Sequence, residues 1–281
     1  MSIEKIIQFV QSSNYEQMNF TGAKIQLLRQ VISEYQSSLG LQRLEWTEHD
    51  VVGKFIANKH YDMKNPKLFD LLENHGVLSK VVRIKLKQLN ETEKLLLQEF
   101  CTAGNAYLRF TPIRGIGGHS EEELRVYRKY VTNKNIYDLL GQWKHYKRNY
   151  SSFVEHWESI RNLACKEMLR TNQHKVTLPV GKLSVVIPDP IIDTDAAYKM
   201  GGGKLLQRSG KINMEQVRLY AARGYFSLSQ VYEHLYVKNI QTKYLLLTLT
   251  SERNMMEGRI QQNNRYSWIN IQTEAEWKQL I

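Results

Sequence analysis

The sequence predicts an α+β fold that is predominantly α-helical. Three observations carry that expectation. Apolar residues recur at three- and four-residue spacing through most of the first 173 residues, the period of helices buried on one face. β-Branched residues concentrate over 175–178 and 182–187, split by Pro179-Val180-Gly181, which is the grammar of a hairpin. Hydrophobic residues make up 42% and charged residues 24% of the 281, close to ordinary globular averages. Such a chain can bury a sizeable core and is neither disordered nor fibrous.

Taken in order, Ile3, Ile6, Ile7 and Val10 form a helical stripe at the start. The segment reads as an amphipathic helix because acid and base interrupt it too early for a signal peptide. Thr21 and Gly22 precede a helix over 23–35, and Gly40 follows it. Thr47 can cap a helix over 48–58. Asn65-Pro66 opens a helix over 67–74 with proline in the first turn and Gly76 as its stop. The stretch 77–89 fits either a helix or a strand, since Val82, Ile84 and Leu86 alternate with Arg83, Lys85 and Lys87. Asn90 and Glu93 pair as a cap for 91–100, and 106–113 is extended. Ser120 with Glu123 makes a capping box for 121–130. Helices over 136–147 and 150–169 follow. Beyond the hairpin come helices over 214–223 and 229–236, strands over 244–250 and 266–271, and a closing helix capped by Thr273 and Glu276. The chain therefore divides into a mainly helical domain, 1–173, and a smaller α+β domain, 174–281.

Lys and Arg number 39 against 28 Asp and Glu, a formal charge of +11. The excess is clustered. Lys80, Arg83, Lys85 and Lys87 stand together without an acid. Residues 124–150 hold Arg125, Arg128, Lys129, Lys134, Lys144, Lys147 and Arg148 against Asp138 alone. Residues 199–223 hold Lys199, Lys204, Arg208, Lys211, Arg218 and Arg223 against Glu215 alone. Clustered bases suit a polyanion, because neutralising phosphates releases their condensed counterions. Tyr127, Tyr130, Tyr137, Trp143, Tyr146 and Tyr150 interleave the second cluster. Rings beside cations suit single strands, although at helical spacing most of these rings belong in a core.

Four local patterns bear on chemistry. Residues 214–236 carry helix–turn–helix grammar around Gly224, and a plain αα-hairpin is the simpler reading. Gly201-Gly202-Gly203 between Met200 and Lys204 reads as a mobile basic loop able to clamp a phosphate, without Walker A spacing. Arg114-Gly115-Ile116-Gly117-Gly118-His119 lacks the dinucleotide pattern, and Glu121, Glu122 and Glu123 would repel a phosphate there. Asp189, Asp193 and Asp195 with Lys199 could hold Mg²⁺ in a nuclease, yet all three acids crowd one loop, where capping explains them more simply. The dispersed histidines, and Cys101 and Cys165 outside any C-x-x-C pair, give zinc no support. Two cysteines make no disulfide framework, so reduced thiols inside a cell are expected.

The reading is a non-enzymatic nucleic-acid-binding protein, for DNA or RNA, with no catalytic residue, metal or cofactor assigned. Arg125, Arg128, Lys144, Lys147 and Arg148 form one expected patch. Lys204, Arg208, Lys211, Arg218 and Arg223 form the other. A coat, packaging or replication accessory factor of a virus, phage or mobile element is the expected setting, intracellular and away from membranes, with room for homo-oligomers. The alternatives are the Mg²⁺-dependent nuclease and a self-assembling structural or interaction protein.

Overall fold

The computed structural model describes residues 2–118, 121–258 and 260–261. In chain order the elements are α1 (Ser2–Gln11), α2 (Asn14–Ser38), β1 (Arg43–Trp46), β2 (Val51–Asp62), α3 (Pro66–Asn74), α4 (Leu78–Val81), β3 (Val82–Ile84), α5 (Glu91–Leu97), β4 (Cys101–Thr102), β5 (Tyr107–Pro112), α6 (Glu121–Thr132) and α7 (Ile136–Arg170). Then follow β6 (Lys175–Leu178), β7 (Gly181–Val186), β8 (Ile191–Ile192), α8 (Thr194–Ser209), β9 (Gly210–Ile212), α9 (Met214–Ala222), α10 (Leu228–Glu233) and β10 (Tyr236–Thr248). A helix over 249–258 comes next. Helices dominate and the sheets are small and antiparallel, a predominantly helical α+β fold. The expected strand over 266–271, the closing helix at Thr273 and Glu276, and the Ser120 side of the box with Glu123 lie outside the described residues. No helix among the described residues is long and apolar enough to cross a membrane.

The chain forms two compact units, and neither is one continuous segment. The first comprises Met1–Ile56, Asn105–Pro188 and Tyr244–Leu249; the second comprises Ala57–Gly104, Asp189–Lys243 and Thr250–Ile281. Residues 173 and 174 both fall in the first unit, inside the segment that joins α7 to the hairpin.

In the first unit α7 is a shared spine. The sequence suggests two helices here, but one helix runs through Asn149-Tyr150-Ser151. None of these residues removes a backbone donor as proline would, and all three are exposed. At one end of α7, Leu139, Leu140 and Trp143 join Leu28 and Ile32 of α2, Trp46, Val51 and Leu246 in one core. At the other, Trp157, Ile160, Ala164 and Met168 join Ile6, Phe9 and Val10 of α1. Truncating a fully buried Leu140 or Met168 to alanine would cost about 2–5 kcal/mol. α2 likewise starts earlier than expected and runs through Thr21-Gly22. Gly22 is needed by α7, because a Cβ there would stand 3.0 Å from the Tyr150 ring.

The helix expected over 48–58 is instead a hairpin. Thr47–His49 make a 3-10 turn, Asp50 adopts φ 52°, and Val51 begins β2, which pairs with β1 in the register Trp46↔Val51 to Arg43↔Lys54. Val51, Val52, Phe55 and Ile56 fit a pleated surface better than a helix. Gln36 is fully buried behind this hairpin. Its amide donates to the Leu41 and Gly53 carbonyls at 3.0 and 3.2 Å and accepts from the Tyr244 hydroxyl at 3.0 Å. The expected hairpin over 175–187 forms as β6 and β7, with β5 as the third strand.

In the second unit Leu68, Phe69, Leu72, Leu78, Val81, Leu206, Val217 and Val231 make the core. Local caps behave as the sequence suggests. Asn65 accepts from the Lys67 N–H at 3.1 Å, and its amide donates to the His234 carbonyl at 2.8 Å. Asn90 and Glu93 form a reciprocal capping box. The ambiguous stretch 77–89 is neither wholly helix nor strand: it holds α4, β3 and a 3-10 turn.

Candidate nucleic-acid interface

A basic surface is built by the two-stranded sheet β3–β9 of the second unit. Val82 and Ile84 of β3 and Ile212 of β9 point into the core, so period-two alternation sends Arg83 and Lys211 outward. The register sets Arg83 directly opposite Lys211, and the Lys85 N–H donates to the Ser209 carbonyl at 3.3 Å. Like charges opposite each other destabilise a ladder, so folding brings these cations together against their repulsion. Two clusters more than a hundred residues apart in the chain thereby become one surface.

Beside this sheet lies a groove of about 450 Å³ lined by Lys59, Lys64, Lys85, Lys211 and Lys238, with Asp62 as its one carboxylate. His60, Tyr61 and Met63 complete that wall. Asp62 accepts from the Lys64 N–H at 3.0 Å and pairs with Lys238 at 3.1 Å. The Lys64 N–H and then the Lys238 ammonium hold its carboxyl below the usual range, so it is ionised at neutral pH. No ion pair among the described residues engages Arg83, Lys85, Lys211, Lys59 or Lys64. The groove thus presents several cations to one already committed anion, the arrangement that attracts phosphates.

The other expected residues of this unit scatter. Lys204 is exposed on α8 and Arg218 on α9. Arg208 pairs with Glu93, whose carboxyl the guanidinium holds below its usual range. Arg223 ends α9 over the Tyr220 ring at 5.3 Å. The glycine run is not a loop but part of α8, which kinks at Gly202, φ 61°. Only a residue tolerant of positive φ can make that kink. The Glu73 carboxylate sits directly over Gly203, where a Cβ would meet it. A carboxylate at that spot disfavours a phosphate there.

In the first unit Arg125, Arg128 and Arg148 are exposed, but Lys144 and Lys147 are engaged. Lys144 donates to the His49 carbonyl at 2.8 Å and lies 3.7 Å from Asp50. Lys147 lies 4.9 Å over the Trp143 ring, and burial lowers its pKa. The interleaved aromatics serve the fold: Tyr127 and Tyr146 join Phe20 in caging the Lys24 ammonium at 4.1–5.2 Å, and Lys134 covers Tyr130 at 4.8 Å.

The remaining motifs resolve into structural tasks. Asp193 caps α8, accepting from the Asp195 and Ala196 N–H groups, while Asp195 pairs with Lys80 and Asp189 with Lys87. Among the described residues no three His, Cys, Asp or Glu side chains gather to hold a metal. α10 spans only six residues, is capped by Ser227, and turns Val231 into the core. Gly115 and Gly117 form a turn whose Gly117 carbonyl accepts from the Asn19 amide at 2.9 Å; His119 lies outside the described residues. His145 and His156 share the unbroken α7 but stand three turns apart, about 16 Å. They bond Asn149 and pack on Phe9 respectively.

Lys59, Lys64 and Lys238 were not legible as one site. Their meeting depends on β2 being a strand and on its pairing with β10. No protein-family model matches the chain, and neither a curated protein nor a solved structure resembles it.

Proposed function

We propose that the protein binds nucleic acid, holding the phosphate backbone chiefly in the basic groove of the second unit. The observation that carries this reading is the β3–β9 register, which sets Arg83 against Lys211 at the rim of a groove lined by five lysines and one carboxylate. Phosphate oxygens would replace water and counterions around Lys59, Lys64, Lys85 and Lys211. The freed counterions supply the driving force. Arg125, Arg128 and Arg148 of the first unit offer a second, weaker set of contacts. A packaging or replication accessory role in a virus, phage or mobile element is the setting such a protein fits.

Fluorescence anisotropy with labelled single- and double-stranded DNA and RNA tests the reading. Six to ten phosphate contacts would weaken binding by on the order of 10³–10⁵ between about 50 and 200 mM salt. Flat, weak signals on all four probes would sink it.

A further inference from the structure

We infer that the ribbon formed by residues 57–62 of β2 and 236–243 of β10 enters the major groove of duplex DNA, with Asn239 and Gln241 meeting base edges. The inference rests on the nucleic-acid reading above and deepens it by naming the strand type and the reading element.

Every residue over 57–60 and 236–243 is exposed. The strands are neighbours in one sheet, and Lys238 reaches Asp62 across them at 3.1 Å. A two-stranded ribbon in water is marginal by itself, yet this one displays Tyr236 at 65%, Val237 at 45% and Ile240 at 55% exposure. Such a surface calls for a partner, and its charge selects which. Residues 57–62 and 236–243 contain Lys59, Lys238 and Lys243 against one acid, Asp62, which Lys238 already pairs. Lysines along an open edge discourage another strand from pairing there, whereas they favour a polyanion.

Dimensions and chemistry then choose among polyanions. The B-DNA major groove, about 12 Å wide, admits a two-stranded ribbon, while that of A-form RNA is too narrow. Single-strand binding needs rows of exposed rings, but here only Tyr236 and the His60 imidazole are exposed, since Tyr61 packs against the core. Alternation places Val237, Asn239, Gln241 and Lys243 on one face of β10. An Asn or Gln amide can bond adenine N6 and N7 together, an apolar side chain meets the thymine methyl, and a lysine reaches the backbone.

The test uses the full chain and two duplexes of one mixed sequence. One is ordinary DNA. The other carries glucosylated hydroxymethylcytosine, whose sugar fills the major groove and leaves the phosphates in place. The chain should bind ordinary duplex about tenfold more tightly. The double variant Asn239→Ala/Gln241→Ala should lose that preference while keeping the wild-type circular dichroism and salt dependence. Equal wild-type affinity for the two duplexes overturns the ribbon's placement, as does a preference for single strands or RNA. In both cases salt-dependent binding still stands, so the parent reading survives. Loss of all salt-dependent binding to every probe overturns both. Concentration-dependent self-association that the double variant abolishes and DNA does not compete with would assign the ribbon to a second copy of the chain instead.

Discussion

Two basic clusters of similar formal charge meet different fates. Residues 124–150 hold seven bases against one acid, and residues 199–223 hold six against one. In the first unit Lys144 is bound to the His49 carbonyl, Lys147 and Lys134 lie over rings, and Lys24 sits in a separate three-ring cage. In the second unit Lys211 is drawn beside Arg83 and Lys85, next to a groove whose one carboxylate is already occupied. Charge in a sequence stays available to a partner only where the fold leaves it unspent.

The sharpest way to break the comparison is charge reversal. Lys85→Glu/Lys211→Glu should weaken polyanion binding on the order of a hundredfold and lower the slope of log K against log salt by roughly two. Lys144→Ala/Lys147→Ala should change affinity by no more than about threefold in the same anisotropy titration. Equal losses in the two variants would erase the distinction. Next in size, Lys24→Met keeps the aliphatic stem but removes the caged charge. It should cost about 0.5–1 kcal/mol in urea denaturation and leave affinity unchanged.

Asp62→Asn sharpens the contrast from the other direction. It retains an acceptor for the Lys64 N–H, frees Lys238 and removes the groove's carboxylate, so affinity should rise about threefold at low salt. A fall would mean that Asp62 positions the lysines more than it opposes phosphate. The smallest effect belongs to the Lys80–Asp195 pair, whose members are 47% and 41% exposed. Lys80 holds the Asp195 carboxyl below its usual range, and the carboxylate raises the lysine. Its contribution is therefore present above the unfolded carboxyl value, about 4, and is lost as pH falls through the lowered one. At the other end it is complete below about pH 10 and fades as pH rises through the raised lysine value. Asp195→Asn should flatten both limbs of the Tm–pH curve, with a shift at pH 7 of no more than about 2 °C.

What the sequence disclosed follows from the range of the forces involved. Asn65-Pro66 and Asn90 with Glu93 were legible because a cap is settled within four residues. A helix cap within 193–195 was legible for the same reason, and the structure gives that task to Asp193. The strand at Val51 was not, since β10, one of its two neighbours, lies far along the chain. The continuity of α7 was hidden because Asn149-Tyr150-Ser151 resembles an interruption until Tyr150 is seen against Gly22. Lys211 stood in an expected patch, but its partners Arg83 and Lys85 were visible only as a separate run of charge. Register, which no local pattern encodes, joined them.

The pairing of α1 with α7 also sets a timetable for synthesis. Ile6, Phe9 and Val10 are covered by Trp157, Ile160 and Met168, and the Ser2 N–H donates to the Glu167 carboxylate at 2.8 Å. At roughly 5–20 residues per second, a ribosome needs about 8–30 s after making the first helix to supply its cover. Throughout that interval the stripe has only the earlier members of its cluster, Met18 and then Leu108 among them, for cover. Chaperone dependence during translation should therefore centre on the first ten residues, and polar substitutions that relieve it there would uncover the finished core.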